Sequence, residues 1–237
     1  MRLANLDTLM DAARKGRNAI WGVCDGMYRK FIRRPLPGEY QPYYFTLPDR
    51  YPWLFSFAAS HIGSRPDLRI LSFGCSRGEE VFTLRRYFPT ATIKGIDINS
   101  RNIAKCRARA DAAHYKNITF EVAATTEAEP TGTYDALFCL SVLCNGTLTA
   151  LRAQRCDPVL YFEKFEWLVG DFARCLKPGA LLAVHGANFR FGDTRVSQNF
   201  DMVLEADPAQ LAPDVLFDRN NRLMSGERYR PVAFEKR

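Results

Sequence analysis

The chain has 237 residues, with 33 Lys and Arg against 26 Asp and Glu and a formal net charge of +7. Apolar residues make up 47% and charged ones 25%, a globular balance that excludes a disordered or fibrous chain. Seven cysteines form an odd set with no C-x-x-C pair, which argues against a secreted disulfide framework or a metal site and for a reducing, cytoplasmic setting. The longest apolar runs, Ala136–Leu140 and Ala180–Val184, fall far short of the roughly 20 residues a membrane helix needs, so no membrane partner is expected. Asp7 and Asp11 interrupt the stretch in which a signal peptide would need an apolar core.

Residues 1–63 read as an N-terminal helical and irregular cap or lid. Leu3, Leu6, Leu9 and Met10 recur at helical spacing, and Tyr51–Ile62 suits a second amphipathic helix. Between them Arg34-Pro35-Leu36-Pro37-Gly38 cannot continue a helix, because two prolines remove donors. From residue 64 to 237 the texture is that of one domain. Strands are expected at Leu68–Phe73, Thr92–Ile96, Ile118–Val122, Tyr134–Leu140 and Ala180–His185. Helices are expected between them at Glu79–Tyr87, Ser100–Ala113 and Val159–Leu176, the last followed by a Lys177-Pro178-Gly179 turn. Phe200–Leu204 and Tyr229–Phe234 complete seven strands as an antiparallel pair. Strands alternating with helices of this length predict an α/β, Rossmann-like, mostly parallel sheet with helices on both faces.

Ligands of such sheets bind where the strands end, near the switch in strand order. The first strand ends in Phe73-Gly74-Cys75-Ser76-Arg77-Gly78-Glu79-Glu80. Gly74 and Gly78 allow a tight turn and a close backbone approach. A dinucleotide loop would need glycines where Ser76 and Glu79 stand, and two carboxylates at the helix start would repel a pyrophosphate. They suit a ligand that presents an ammonium, with Glu80 the candidate and Glu79 placed to complement the helix dipole. The second strand ends in Asp97-Ile98-Asn99. Asp97 lies nineteen positions after Gly78, the interval at which an acid accepts both ribose hydroxyls, and Asn99 or Ser100 is free to cap the next helix. Ala123 and Ala124 after the third strand leave room for an adenine ring, and Leu140 and Ser141 end the fourth. A nucleoside with an ammonium and no phosphates describes S-adenosylmethionine.

Residues 68–190 resemble a class I S-adenosylmethionine-dependent methyltransferase. Ile70–Leu84, ILSFGCSRGEEVFTL, is similar to the G-C-S-x-G-E-E signature of the chemotaxis receptor glutamate methyltransferases, the CheR type. Gly95-Ile96-Asp97-Ile98, the D-x-x-F-C of Asp135–Cys139 and the T-x-x-x-R of Thr46–Arg50 resemble three further elements of that type. The resemblance implies that Glu80 binds the methionine ammonium, Asp97 the ribose, and that Thr46 and Arg50 close on the methionine end. It departs where that type continues F-C with R-N, since Leu140-Ser141 stand here, and no room remains for its receptor-docking β-subdomain.

For the acceptor, Tyr40–Phe57 holds eight aromatics, with Tyr43 and Tyr44 candidates to line a pocket. The long Ser141–Pro158 loop carries Arg152 and Arg155, suited to an anionic group. His185 and Asn188, at the end of the fifth strand, are the candidate base and positioning residue. A basic cluster at Arg29–Arg34 and the stripe Arg101, Lys105, Arg109 fit either solvated faces or phosphate contacts. Nine basic residues against five acidic in 1–50, and six against two in 219–237, put the charge excess on the flanks of the core. The sequence therefore predicts a methyltransferase acting on a small, anionic molecule. A protein carboxylate or RNA methyltransferase, or a cofactor-binding regulatory module without turnover, are its alternatives.

Overall fold

The computed structural model describes residues 38–41, 46–63, 65–212 and 215–237. The expected helix around Leu3–Met10, the Arg29–Arg34 cluster, Cys24, Tyr43 and Tyr44 lie outside them. Helix α1 (Pro52–Ile62) precedes β1 (Arg69–Phe73), α2 (Glu79–Tyr87), β2 (Thr92–Asp97), α3 (Ser100–Ala112) and β3 (Ile118–Val122). Then come β4 (Tyr134–Leu140), α4 (Gly146–Leu151), α5 (Phe162–Cys175), β5 (Leu176–His185), β6 (Phe200–Glu205) and β7 (Pro231–Lys236). The seven strands take the order β3-β2-β1-β4-β5-β7-β6, parallel from β3 to β5 with β7 antiparallel to both β5 and β6. β1 therefore has β2 on one side and β4 on the other, which is the switch point at which a cleft opens.

The central strands read as near-continuous apolar runs because both faces are covered. All seven residues of β4 are buried. On one face Ile70, Ile93, Phe120 and Phe138 pack with Leu54 and Phe55 of α1, Val81 and Leu84 of α2 and Ile103 of α3. On the other, Leu71, Phe73, Leu137 and Leu182 pack with Phe165, Leu168 and Phe172 of α5. Each fully buried aromatic or aliphatic side chain contributes about 1.5–3 kcal/mol. Since α1 shares this core, the division expected at residue 63 falls inside one compact unit, Pro37–Arg237.

Three expectations shift. α5 starts at Phe162 instead of Val159, because the amides of Val159 and Leu160 turn back to the Cys156 carbonyl (both 2.9 Å) while the Phe162 amide is taken by the Asn221 side chain at 2.8 Å. The Lys177-Pro178-Gly179 turn survives as a bulge inside β5, with register passing from Tyr134↔Leu176 to Ala136↔Leu181. The loop after β4 contains helix α4, begun by Asn145, whose Oδ1 accepts from the Thr147 amide at 3.1 Å. No helix among the described residues is long and apolar enough to cross a membrane. Cys75, Cys106, Cys139, Cys144, Cys156 and Cys175 are buried.

Candidate active site

The loop after β1 is built by tight backbone bonding. The amides of Gly74 and Cys75 both donate to the Ile96 carbonyl, at 2.8 and 3.0 Å, which draws the loop over the end of β2. Gly74 stands at φ +74°, and a Cβ there would come within 2.4 Å of Val142 Cγ2. Only glycine allows both the turn and the contact. Gly78 starts α2 at φ +88°, packed against Phe82 and Cys106. Ser76 takes a left-handed φ of 50° and donates its amide to Asp97 Oδ2 at 2.8 Å.

Asp97 is 6% exposed and also accepts from the Asn99 amide at 2.8 Å. The cap of α3 is supplied by Asn99, whose Oδ1 accepts from the amides of Arg101 and Asn102. The start of α3 is thus capped by Asn99, while the Asp97 carboxylate ties the loop after β1 to the end of β2. Ile98 follows it, and Ala123 and Ala124 complete that wall.

Glu80 projects from the first turn of α2 into the cleft and accepts from the Ser72 hydroxyl at 2.7 Å. Enclosure by protein pushes its pKa up to about 7, against the lowering pull of that hydroxyl and of the Arg50 charge. Glu79 turns elsewhere, toward Arg109 at 3.6 Å. Arg109 also lies over the Phe82 ring at 4.1 Å, while Arg101 and Lys105 are exposed.

β4 ends in a second left-handed residue, Ser141 at φ 57°. Its amide donates to the His185 carbonyl at 2.7 Å, and its hydroxyl is 2.7 Å from the Tyr51 hydroxyl. Three non-glycine residues on this one cleft, Asp49, Ser76 and Ser141, take left-handed φ values of 52°, 50° and 57°, which mark stored strain of about 1–3 kcal/mol each. Above Ser76 and Ser141 runs an arm, Thr46–Tyr51, held down by Asp49, whose amide donates to Thr83 Oγ1 at 3.1 Å and whose carboxylate accepts from the Tyr87 hydroxyl at 3.2 Å. Arg50 stacks over the Tyr51 ring at 5.1 Å. Gly38–Gln41 closes the other side of the roof.

The resulting cleft is concave and open at its mouth, with about 940 Å³ of empty space when the adjoining solvent is included. Thr46, Arg50, Phe73, Gly74, Cys75, Ser76, Glu80, Asp97, Ile98, Ala123, Ala124, Leu140 and Ser141 all line it. Gly78 does not; it shapes the turn from behind.

The acceptor-side residues fare differently. His185 is 5% exposed and stands edge-on to the rings of Tyr51 and Trp53, at 5.1 and 5.7 Å. Burial, and secondarily the Arg50 charge, push its pKa down to about 4, so it is neutral and screened from the cleft. Asn188 has no exposure; its Oδ1 accepts from the Asn145 amide at 2.6 Å and its Nδ2 donates to the Val215 carbonyl at 2.7 Å. It fastens the β4 and β5 loops together and does not face the cleft. Arg155 is closed on Asp157 by two bonds, at 2.8 and 2.9 Å, and Arg152 ends α4 with φ 45°. Neither lines the cleft. Tyr40, Tyr51 and Phe55 line the cleft from within the aromatic run Tyr40–Phe57; Gln41 and Val142 line it too, with no sequence signal to mark them.

A family model described as "Methyltransferase domain" matches residues 64–206, more than half of the chain. The match supports the broad methyltransferase resemblance; the narrower chemotaxis-receptor type finds no support in the comparisons. No curated protein matches the chain. Among solved structures, geranyl diphosphate C-methyltransferase from Streptomyces coelicolor A3(2), in complex with Mg2+, geranyl diphosphate and S-adenosyl-L-homocysteine, is similar at 17% identity and a TM-score of 0.42, covering 56% of this chain and 44% of that one. The YcgJ protein from Bacillus subtilis is similar at 15% identity and 0.44, covering 68% and 53%. Coclaurine N-methyltransferase bound to N-methylheliamine and SAH is similar at 11% and 0.41, covering 55% and 33%. The chain thus spans about half or less of the length of these structures.

Proposed function

The chain belongs to the methyltransferase-domain family, whose methyl donor is S-adenosylmethionine, and from that premise we propose that it transfers a methyl group to an oxygen or nitrogen nucleophile of a small molecule. The observation that carries this reading is the meeting of Asp97 and Glu80 in one cleft at the switch point of the sheet. A carboxylate at the end of β2 suits two ribose hydroxyls. A second carboxylate, held near neutrality beside Ser72, suits an ammonium that would ionise it. No phosphate cradle is needed, and the carboxylates at the loop would oppose one. The residues present therefore fit the donor.

When bound, the donor supplies a methyl carbon already activated by its sulfonium, so the nucleophile needs alignment and a dry setting more than a strong base. Asp97 would hold the ribose end, Glu80 the amino end and Arg50 the carboxylate. Thr46 and the Asp49-tethered arm would cover the methionine end and exclude water. Tyr51 and Ser141, joined by their hydroxyls, border the same cleft and orient groups that enter beside them. An anionic acceptor now rests on the +7 net charge alone, because Arg152 and Arg155 stand outside the cleft.

Calorimetric titration with S-adenosylmethionine and with NAD tests the premise. Binding of the first and not the second is expected, and the reverse would overturn it. Release of S-adenosylhomocysteine from incubations with metabolite, protein or RNA pools separates the small-molecule reading from the protein carboxylate and RNA alternatives. Binding without release in any pool would favour a regulatory module.

A further inference from the structure

Many cations among the described residues are held by protein atoms. Arg155, Arg174, Arg190 and Arg237 close on carboxylates, and Arg85 and Lys236 on backbone carbonyls. Arg77, Arg101 and Lys105 are exposed and, among the described residues, form no ion pair. They stand together. Arg101, Lys105 and Arg109 follow one another at one per turn along one side of α3, about 6 Å apart. Cys106 Sγ donates to the Ser76 carbonyl at 3.4 Å, and a Cβ at Gly78 would stand 3.1 Å from the same sulfur. The loop that carries Arg77 is therefore seated on α3 next to Lys105. The ridge ends in rings. Arg109 lies over Phe82 at 4.1 Å, and Tyr115, 40% exposed, packs on the same ring at 5.9 Å. Between the cations stand Ala104 and Ala108, both exposed, which leave the ridge unobstructed.

This charge does not serve the helix that carries it. Arg101 is the second residue of α3, whose first turn holds no acid, and the helix dipole disfavours cations at that end. A row of cations one turn apart, flanked by an exposed ring, complements a row of phosphates whose bases can stack. A lipid surface would call for large apolar side chains on the same face, and the positions between these cations are alanines.

We propose that the exposed face of α3, with Arg77 and Tyr115, is a docking surface for a single-stranded nucleic acid. Arg77, Arg101, Lys105 and Arg109 contact its phosphates, and Tyr115 stacks on a base. The surface goes beyond the methyl-transfer reading, since none of these side chains lines the cleft. Ser76 and Ile98, which do line it, adjoin Arg77 and the start of α3, so the ridge borders the cleft on that side.

The test is fluorescence anisotropy of the full chain with labelled oligouridine and oligothymidine of about twelve nucleotides. Binding of either carries the proposal, and the tighter of the two names the strand. Contact with three or four phosphates should make affinity fall about 20- to 50-fold between 50 and 200 mM salt. Arg101→Gln combined with Lys105→Gln should weaken binding about tenfold and flatten the salt dependence, with the melting temperature unchanged or higher. Tyr115→Ser should weaken binding about tenfold and leave the salt dependence intact. Arg222→Gln combined with Arg228→Gln, an equal change in net charge elsewhere on the surface, should bind as wild type does. The proposal is overturned if neither oligonucleotide binds at 50 mM salt. It is also overturned if the two double variants weaken binding equally, which would trace the effect to net charge. Competition by polyglutamate as strong as by unlabelled oligonucleotide, with no effect of Tyr115→Ser, would make the partner an acidic protein instead. Calorimetry with S-adenosylhomocysteine should give the same affinity for wild type and both double variants, so loss of this surface leaves the methyltransferase reading in place.

Discussion

The amide of Ser76 donates to the carboxylate of Asp97 at 2.8 Å, which ties the glycine loop after β1 to the end of β2. The same carboxylate takes the Asn99 amide. Asp97→Ala should therefore do two things: remove the ribose acceptor and release the loop. We expect the Kd for S-adenosylhomocysteine to rise about 100-fold, corresponding to a charged hydrogen-bond loss of about 3 kcal/mol, with a lowered urea midpoint in the free protein. Unchanged affinity by calorimetry would remove Asp97 from the site.

Glu80 makes binding and stability depend on pH in opposite senses. Its pKa in the folded chain is raised to about 7 from the ordinary 4.5, chiefly by enclosure. The folded state thus holds a proton that the unfolded chain gives up, so this contribution to stability is complete below about pH 4.5 and is lost as pH rises toward 7. The loss is about 2 kcal/mol once water in the cleft screens the charge. An ammonium ligand requires the ionised form, so affinity for S-adenosylmethionine should increase from pH 6 to 8. Glu80→Gln should raise the melting temperature of the free protein at pH 8, weaken S-adenosylmethionine and flatten both pH profiles. Calorimetry in buffers of different ionisation enthalpy should detect proton release on binding near pH 6.5.

Gly74 and Val142 share one space. Gly74→Ala places a methyl 2.4 Å from Val142 Cγ2 at a φ of +74°. The clash and the backbone strain together should cost about 2–4 kcal/mol in urea unfolding and push Val142 into the cleft. Val142→Ala in the same chain should recover the clash part and leave about 1 kcal/mol of left-handed strain. Full additivity of the two changes would show that the contact does not matter.

Asp135 anchors the opposite end of β4. It is 4% exposed and binds Arg65, the Arg69 amide at 2.9 Å and Lys177 Nζ at 2.9 Å. Asp135→Ala leaves Lys177 and the Arg69 amide without their acceptor and should destabilise by about 3 kcal/mol. Because the residue lies far from the ligand-lining strand ends, the folded protein should retain wild-type affinity for S-adenosylhomocysteine.

The parts of the fold that were legible in the sequence are those governed by local chemistry. β4 shows itself through the apolar run Ala136–Leu140 because both its faces are covered, and the Asn99 cap marks the start of α3. The meeting of Gly74, Glu80 and Asp97 at one cleft was legible for the same reason: they sit at fixed offsets from strands that can be recognised. The acceptor side was not. Asn188 and Arg155 carry the same groups whether they meet a ligand or neighbouring protein atoms, and only the fold shows that Asn145, Val215 and Asp157 satisfy them. Gln41 bears no periodicity or motif, and its place on the cleft is fixed by Cys144, 103 residues away.

The cleft has a floor and a ceiling of different origin. Strand ends within 64–206 form the floor, while Gly38–Gln41 and Thr46–Tyr51 form the ceiling from outside that span. Its chief tie to the helices below runs through Asp49 to Thr83 and Tyr87. Floor and ceiling are therefore separate stretches of one chain that meet on the same cleft, and exchanging only residues 38–51 between related proteins should alter affinity for donor and acceptor together.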